Sequence, residues 1–215
     1  MKIGVLYAME KEAAGLLGKL DVRGLDTVAG MAFYALPRGH VLCVGGVGKV
    51  NIAMAAQALI DHYQVDAILN AGCAGAFSAT ISPGTIVVAE SCVQHDVDTS
   101  LAGDPTGLVS TVNVTHFPCR GVDLPGAVTG VVATGDWFGR DHNRARAIQA
   151  RYNATVCDME GAAVAQVCLR NGIDCTVIKS VSDHLFSPSQ DVEYQENFQR
   201  AMDSLDAAVL AILEG

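Results

Sequence analysis

Several things are scarce in this chain of 215 residues, and each scarcity excludes something. Its seven cysteines (43, 73, 92, 119, 157, 168 and 175) never form Cys-x-x-Cys, which removes the zinc-ribbon spacing, and their odd number leaves no complete disulfide framework. Most of them sit in apolar runs, where a free thiol behaves as a small hydrophobe, so a reducing compartment is expected. Charge is sparse at 17% of residues, and 14 Lys and Arg against 23 Asp and Glu leave a net −9. That balance disfavours a nucleic-acid groove or an anionic membrane surface and favours a small neutral or zwitterionic ligand. Arg140, Arg144, Arg146 and Arg151 read as a solvated helix face. No apolar run approaches a membrane span, and the first residues show no charged segment followed by a cleavage site. A cytoplasmic location is the expectation. No metal-ligand cluster is readable, and neither a metal nor a cofactor is expected.

What the chain does have is apolar material, at 50% of residues, and 22 glycines for tight turns and close backbone approach. Strand-like runs lie at Lys2–Tyr7, Ala32–Leu36, His40–Val44, Ala67–Ala71, Thr85–Ala89, Ala127–Ala133, Thr155–Cys157 and Cys175–Val181. Helical spacing occupies Glu10–Leu20, Val50–Tyr63, Asp141–Tyr152, Gly161–Leu169 and Val192–Leu213. Alternation of this kind predicts parallel strands joined by crossover helices. The fold class is therefore α/β: a three-layer sandwich with a mixed central sheet flanked by helices. No repeat or linker divides residues 1–215, so one domain is expected. The long aperiodic segment Gln94–Pro125 reads either as an interfacial element or as a tolerated surface loop.

Three carboxylates stand at the ends of apolar runs. Glu12 follows the first strand in Ala-Met-Glu-Lys-Glu, although spacing alone does not choose between it and Glu10. Glu160 heads a helix of small apolar residues, with Val164, Val167 and Cys168 on its face. Asp183 closes the run Val177–Asp183. Buried carboxylates are costly unless paired or used, and open α/β sheets bind ligands at the carboxyl ends of their strands. Two glycine-rich stretches accompany them. Gly45-Gly46-Val47-Gly48-Lys49-Val50-Asn51 fails the P-loop pattern, since Cys43 and Val50 occupy its key positions, and Asn51 breaks the dinucleotide fingerprint. Gly72-Cys73-Ala74-Gly75-Ala76 leaves backbone N–H groups accessible beside a pocket.

In order and spacing these segments resemble the purine nucleosidase/phosphorylase superfamily, and within it the 5′-methylthioadenosine/S-adenosylhomocysteine nucleosidases. The resemblance is carried by Met1–Gly4 with Ala8–Glu12, by Val44–Val50, by Asn70–Gly75, by Thr134-Gly135-Asp136-Trp137-Phe138, by Asp158-Met159-Glu160 and by Ser182-Asp183. It implies a purine nucleosidase of nucleoside catabolism and methionine salvage, acting as a homodimer without cofactor. Glu12, rather than Glu10, is then the base that activates water, and Asp183, aligned by Ser182, the acid at purine N7. Glu160 and Met159 hold the ribose, and Phe138 stacks on the base. Met9 and Val47 line the sugar and its 5′ group, Ala74 and Gly75 lie against the substrate, and Cys73 and Lys179 neighbour the water. The chain departs from the pattern at Cys73, where Ser is usual, at Lys179, where Arg is usual, and at Ser100–Gly103, where an aromatic residue is usual. A purine nucleoside phosphorylase is the nearest rival reading, but it requires Arg for a phosphate dianion, and no Arg precedes Arg23. A non-catalytic nucleoside-binding protein is the second rival.

Overall fold

The computed structural model describes residues 1–215. Ten strands and five α-helices follow one another as β1 (Ile3–Tyr7), α1 (Glu10–Lys19), β2 (Arg23–Gly24), β3 (Ala32–Ala35), β4 (Val41–Val44), α2 (Lys49–Tyr63), β5 (Ala67–Ala76), β6 (Ile86–Gln94), β7 (His116–Pro118), β8 (Val128–Thr134), α3 (His142–Tyr152), β9 (Ala154–Asp158), α4 (Gly161–Asn171), β10 (Asp174–His184) and α5 (Gln190–Glu214). All ten strands join one sheet, in the order β10-β6-β8-β9-β5-β1-β4-β3-β2, with β7 at the side of β6. An additional pairing of β10 with β5 closes five of these strands into a ring. The mixed sheet is thus flat-sided at one end and barrel-like at the other.

The sheet is parallel at β1–β4, β1–β5, β5–β10, β6–β8 and β8–β9. It is antiparallel at β2–β3, β3–β4, β5–β9, β6–β7 and β6–β10. The crossover reading therefore accounts for half of the pairings. Hairpin connection and ring closure produce the others, which apolar periodicity does not distinguish.

Apolar faces place the helices. Ile52, Ala55 and Leu59 of α2 and Ala162, Val164 and Cys168 of α4 pack against the sheet in one cluster. Ala13 and Leu16 of α1 join Met202, Leu205 and Val209 of α5 in another. Ala145, Ile148 and Tyr152 of α3 form a third, with Val131 and Ala133. Helix ends follow local chemistry: Asp141 caps α3 by accepting the N–H groups of Asn143 and Arg144, and Gly172 ends α4 at φ 68°.

Two differences from expectation bear on the site. Strands β5, β6 and β10 run three to five residues beyond their apolar stretches, to Ala76, Gln94 and His184. The segment Gly72–Ala76 is accordingly strand, not turn, and pairs with Lys179–His184 of β10. Extended backbone carries small and polar residues as readily as Val or Ile when the neighbouring strand supplies the hydrogen bonds. The segment Gln94–Pro125 also contains the short strand β7, with Pro118 at its end beside solvent, where a missing N–H costs nothing.

Candidate active site

The carboxyl ends of these extended strands form one wall of a cleft of about 390 Å³. Glu12, Glu160 and Asp183 all line it, together with Met9, Val47, Cys73, Ala74, Gly75, Phe138, Met159 and Ser182. Every residue expected to contact substrate therefore reaches this space. Lys179 alone lies behind the wall, fully buried. Ala8, Trp137, Gly139, Cys157, Asp158, Leu185, Gln190 and Tyr194 complete the lining.

Glu12 occupies the third position of α1 and is buried. Its Oε2 accepts the Met9 N–H at 3.0 Å, closing the first turn of the helix. Its Oε1 accepts the Cys73 N–H at 3.0 Å and the Cys73 thiol at 3.3 Å. One face of the carboxylate is thereby fixed to β5. Glycine is required beneath it, since a Cβ on Gly72 would come within 3.1 Å of Glu12 Oε1 and 3.4 Å of Lys179 Nζ. Burial and the adjacent Glu12 push the Cys73 thiol well up, so it serves Glu12 as a neutral donor.

Asp183 sits near the end of β10 and is buried. Ser182 Oγ donates to its Oδ1 at 2.5 Å, and Gln190 Nε2 donates to its Oδ2 at 2.8 Å. Desolvation raises its pKa, against the pull of those two donors. Gly75 faces it, and a Cβ there would stand 2.9 Å from Oδ2. The glycine lets the acid lie flush against β5.

Glu160 stands at the N-terminus of α4 without bonding the helix's own amides, and its Oε1 accepts the Gly48 N–H at 3.0 Å. Desolvation, reinforced by nearby Asp158, pushes its pKa up to about 7, although Lys179 and the Gly48 amide oppose the shift. Gly46 and Gly48, at φ 93° and 94°, give the strand–helix turn before α2 its left-handed backbone. Two amide donors of that turn bind carboxylates, Gly48 to Glu160 and Lys49 to Asp136 Oδ1 at 2.9 Å, while Gly45 and Gly46 donate to the carbonyls of Tyr7 and Ala8. The turn positions an acid of the protein instead of cradling a phosphate.

Beneath the cleft, Lys179 Nζ lies 2.8 Å from Asp158 Oδ2 and 3.9 Å from Glu160 Oε2. Burial alone would discharge the ammonium, but Asp158 and Glu160 reverse that and hold its pKa above the usual lysine range. Asp158 is satisfied further by Thr134 Oγ1 at 2.5 Å and the Gly161 N–H at 2.7 Å. At the mouth, exposed Phe138 meets Tyr194 of α5 edge-on, with ring centroids 5.7 Å apart. Lys11 Nζ covers the other side of the Tyr194 ring at 4.9 Å.

Sequence reasoning passed over Gln190 and Tyr194, because neither ends a strand nor belongs to a motif. Helix α5 starts at Gln190, two residues before its expected start, and that extra half-turn delivers the amide to Asp183. Asp158 had a signal, its adjacency to Glu160 after an apolar run, but its partner Lys179 is distant in sequence. No group of three or more His, Cys, Asp or Glu is disposed to hold a metal ion, and no helix is long and apolar enough to cross a membrane.

The Phosphorylase superfamily profile matches residues 2–214. A 5′-methylthioadenosine/S-adenosylhomocysteine nucleosidase of Shewanella baltica (strain OS185) is 34% identical over 199 residues, covering 86% of this chain and 84% of its own. The Colwellia psychrerythraea 34H nucleosidase of the same designation, solved with adenine, superposes with a TM-score of 0.89 at 33% identity, covering 100% of this chain and 95% of its own. The Helicobacter pylori nucleosidase reaches a TM-score of 0.92 over 100% of this chain and 98% of its own, and at 24% identity it shows the common fold. With the three carboxylates gathered in one cleft and this similarity along nearly its whole length, the chain belongs to the phosphorylase superfamily and, within it, to the 5′-methylthioadenosine/S-adenosylhomocysteine nucleosidases.

Proposed function

We propose that the chain hydrolyses the N-glycosidic bond of a 5′-substituted adenosine, namely methylthioadenosine, S-adenosylhomocysteine or a close relative, releasing adenine and the 5′-substituted ribose. The observation that carries this reading is the convergence of Glu12, Asp183 and Glu160 on one cleft whose lining is otherwise mostly apolar. Departure of a purine leaves a sugar with oxocarbenium character, which calls for an acid at the leaving group, negative charge near the ring and an activated water. Asp183, its pKa raised by burial, supplies the proton to N7. Glu160 accepts hydrogen bonds from the ribose hydroxyls in this reading, with Met159 beside it in the cleft lining. Glu12, anchored through the Cys73 and Met9 amides, takes the proton from water. Phe138 and Trp137 offer faces to the base, Met9 and Val47 flank the sugar, and Ala74 and Gly75 form the floor.

Phosphorolysis is disfavoured on a specific ground. The cleft is lined by no Arg or Lys, and the cation behind it, Lys179, is already paired with Asp158. A phosphate dianion would meet the carboxylates of Glu12, Asp158, Glu160 and Asp183 and no free cation. A purely binding role would leave the costly burial of both Glu12 and Asp183 without a purpose. Measuring adenine release from methylthioadenosine with and without phosphate separates the three readings. Hydrolysis gives phosphate-independent release and free 5-methylthioribose. Accumulation of a ribose 1-phosphate establishes the phosphorylase, and binding without release establishes the silent module.

The cytoplasm suits the chain's seven cysteines and its negative charge. A homodimer is supported by apolar side chains left exposed on and near α2, Val47, Val50 and Met54, and by Leu101 in the Gln94–Pro125 segment. A fully active monomer in sedimentation at micromolar concentration would rule the dimer out.

A further inference from the structure

Away from the cleft, Cys92, Cys168 and Cys175 lie within one buried cluster, and Cys119 packs against its edge. The sulfurs of Cys92 and Cys119 are 3.6 Å apart. Cys92 is buried in the long strand β6. Cys119 is the residue after β7 and only half-buried, and its N–H bonds to the Glu90 carbonyl at 3.1 Å. Antiparallel pairing of β7 with β6 sets Ser91 against Pro118, which puts Cys92 and Cys119 on one face as diagonal neighbours. A half-buried thiol thus lies directly beside a fully buried one.

We propose that Cys92 and Cys119 form a reversible redox modification site, closing to a disulfide under peroxide. With Cys175 and Cys92 as hydrogen-bond donors to it, the Cys119 sulfur is held toward its thiolate, the nucleophilic form, against the opposing pull of burial. That thiolate attacks one oxygen of hydrogen peroxide. The O–O bond breaks, Cys119 becomes a sulfenic acid, and the second oxygen leaves as hydroxide that is protonated to water. The Cys92 sulfur then attacks the Cys119 sulfur, the S–S bond forms, the S–O bond breaks, and a second water leaves with the Cys92 proton. Two thiols and one peroxide give one disulfide and two waters. The sulfurs must approach from 3.6 Å to about 2.05 Å, with β7, three residues long and paired only with β6, the shorter of the two strands that must adjust.

The pair also touches the framework of the cleft. A Cβ on Gly161 would stand 3.4 Å from Cys92 Sγ, and the Gly161 N–H binds Asp158, the partner of Lys179. Drawing Cys92 toward β7 therefore disturbs the head of α4, where Glu160 sits.

Full-length protein would be exposed to hydrogen peroxide, its remaining thiols blocked with N-ethylmaleimide, and its peptides mapped by mass spectrometry. The expected result is a Cys92–Cys119 linked peptide with the other five thiols alkylated after unfolding. Dithiothreitol should dissolve the link, and Cys119→Ser should abolish it without altering the melting temperature or basal adenine release. Cys92→Ala should leave Cys119 as a lone sulfenic acid trapped by dimedone. Oxidation of wild type confined to an unbridged Cys119, a bridge from Cys119 to Cys175, or modification at Cys73 alone would overturn the assignment. Cross-linking is read by mass, independently of the nucleosidase reading. If that reading holds, the cross-linked enzyme should release adenine several-fold more slowly, recovering on reduction. Unchanged release would overturn the link to α4.

Discussion

Replacing Asp183 by Asn tests the assigned acid with little change of shape. Asp183 accepts two hydrogen bonds, from Ser182 Oγ and Gln190 Nε2. An asparagine keeps one acceptor oxygen for Ser182, but its amide would face the Gln190 amide donor to donor. Gln190 Oε1 is buried with no partner of its own, so a flip of the Gln190 amide restores a hydrogen bond to the new side chain. The folding penalty is then on the order of one net hydrogen bond, about 1 kcal/mol. The chemical penalty is larger, because an amide cannot protonate N7. Loss of a general acid costs about 10²–10⁴-fold, or roughly 3–5 kcal/mol in the barrier to adenine departure. Rates on methylthioadenosine should therefore fall by that factor while the melting temperature moves little. A nitrophenyl riboside, whose leaving group departs as a stable anion, should lose far less. Equal losses on the two substrates would refute the acid assignment and reduce Asp183 to a structural role.

Two further substitutions probe the electrostatics. The Glu160 carboxyl titrates near 4.5 when unfolded and near 7 when folded, so the folded state binds the proton more tightly. Its contribution to stability is complete below pH 4.5 and is lost as pH rises to about 7, by up to about 3 kcal/mol. Glu160→Gln should flatten that part of the stability–pH curve in denaturant titrations, and an unchanged curve would contradict the shift. Lys179→Met strands Asp158 without its buried counter-ion and should cost about 3–5 kcal/mol, most of it recovered in the double variant with Asp158→Asn. Additive losses in chemical unfolding would show that the two side chains are not coupled.

Apolar runs marked eight of the ten strands, but they marked their buried centres and not their ends. In β5 and β10 the pattern breaks at Gly72 and Ser182, yet pairing continues to Ala76 and His184. Those ends carry the chemistry because side chains facing a cleft are polar or small, which is what erases the hydrophobic signal there. Strand β2 is two residues long and β7 is three, too short for any periodicity. The candidate acids were legible for the opposite reason: a carboxylate after a buried run is conspicuous. Their partners were not. Nothing local announces that Lys179 pairs with Asp158, that Gly48 reaches Glu160, or that Gln190 reaches Asp183, since each contact joins separate elements. Ring closure by the β5–β10 pairing creates several of these proximities at once, and no window of sequence contains it.

The charge balance around Lys179 connects this architecture to the reaction. One buried ammonium feels three carboxylates, Asp158, Glu160 and Glu12. It pairs closely only with Asp158, and Glu160 Oε2 remains 3.9 Å away. Were all three ionised, the cluster would hold an excess of negative charge under a cleft with no cation in its lining. Burial, reinforced by Asp158 and Glu12, raises the pKa of Glu160, so its charged state is disfavoured until something positive arrives. In the proposed reaction, a sugar that develops cationic character beside it would supply that charge, so the interaction would strengthen as the glycosidic bond stretches and be weak with the neutral substrate. Interaction that grows toward the transition state is what accelerates a reaction. The same excess repels a phosphate dianion. Lys179 thus leaves the site short of neutrality, which fits the proposed departure of a purine from a sugar of cationic character.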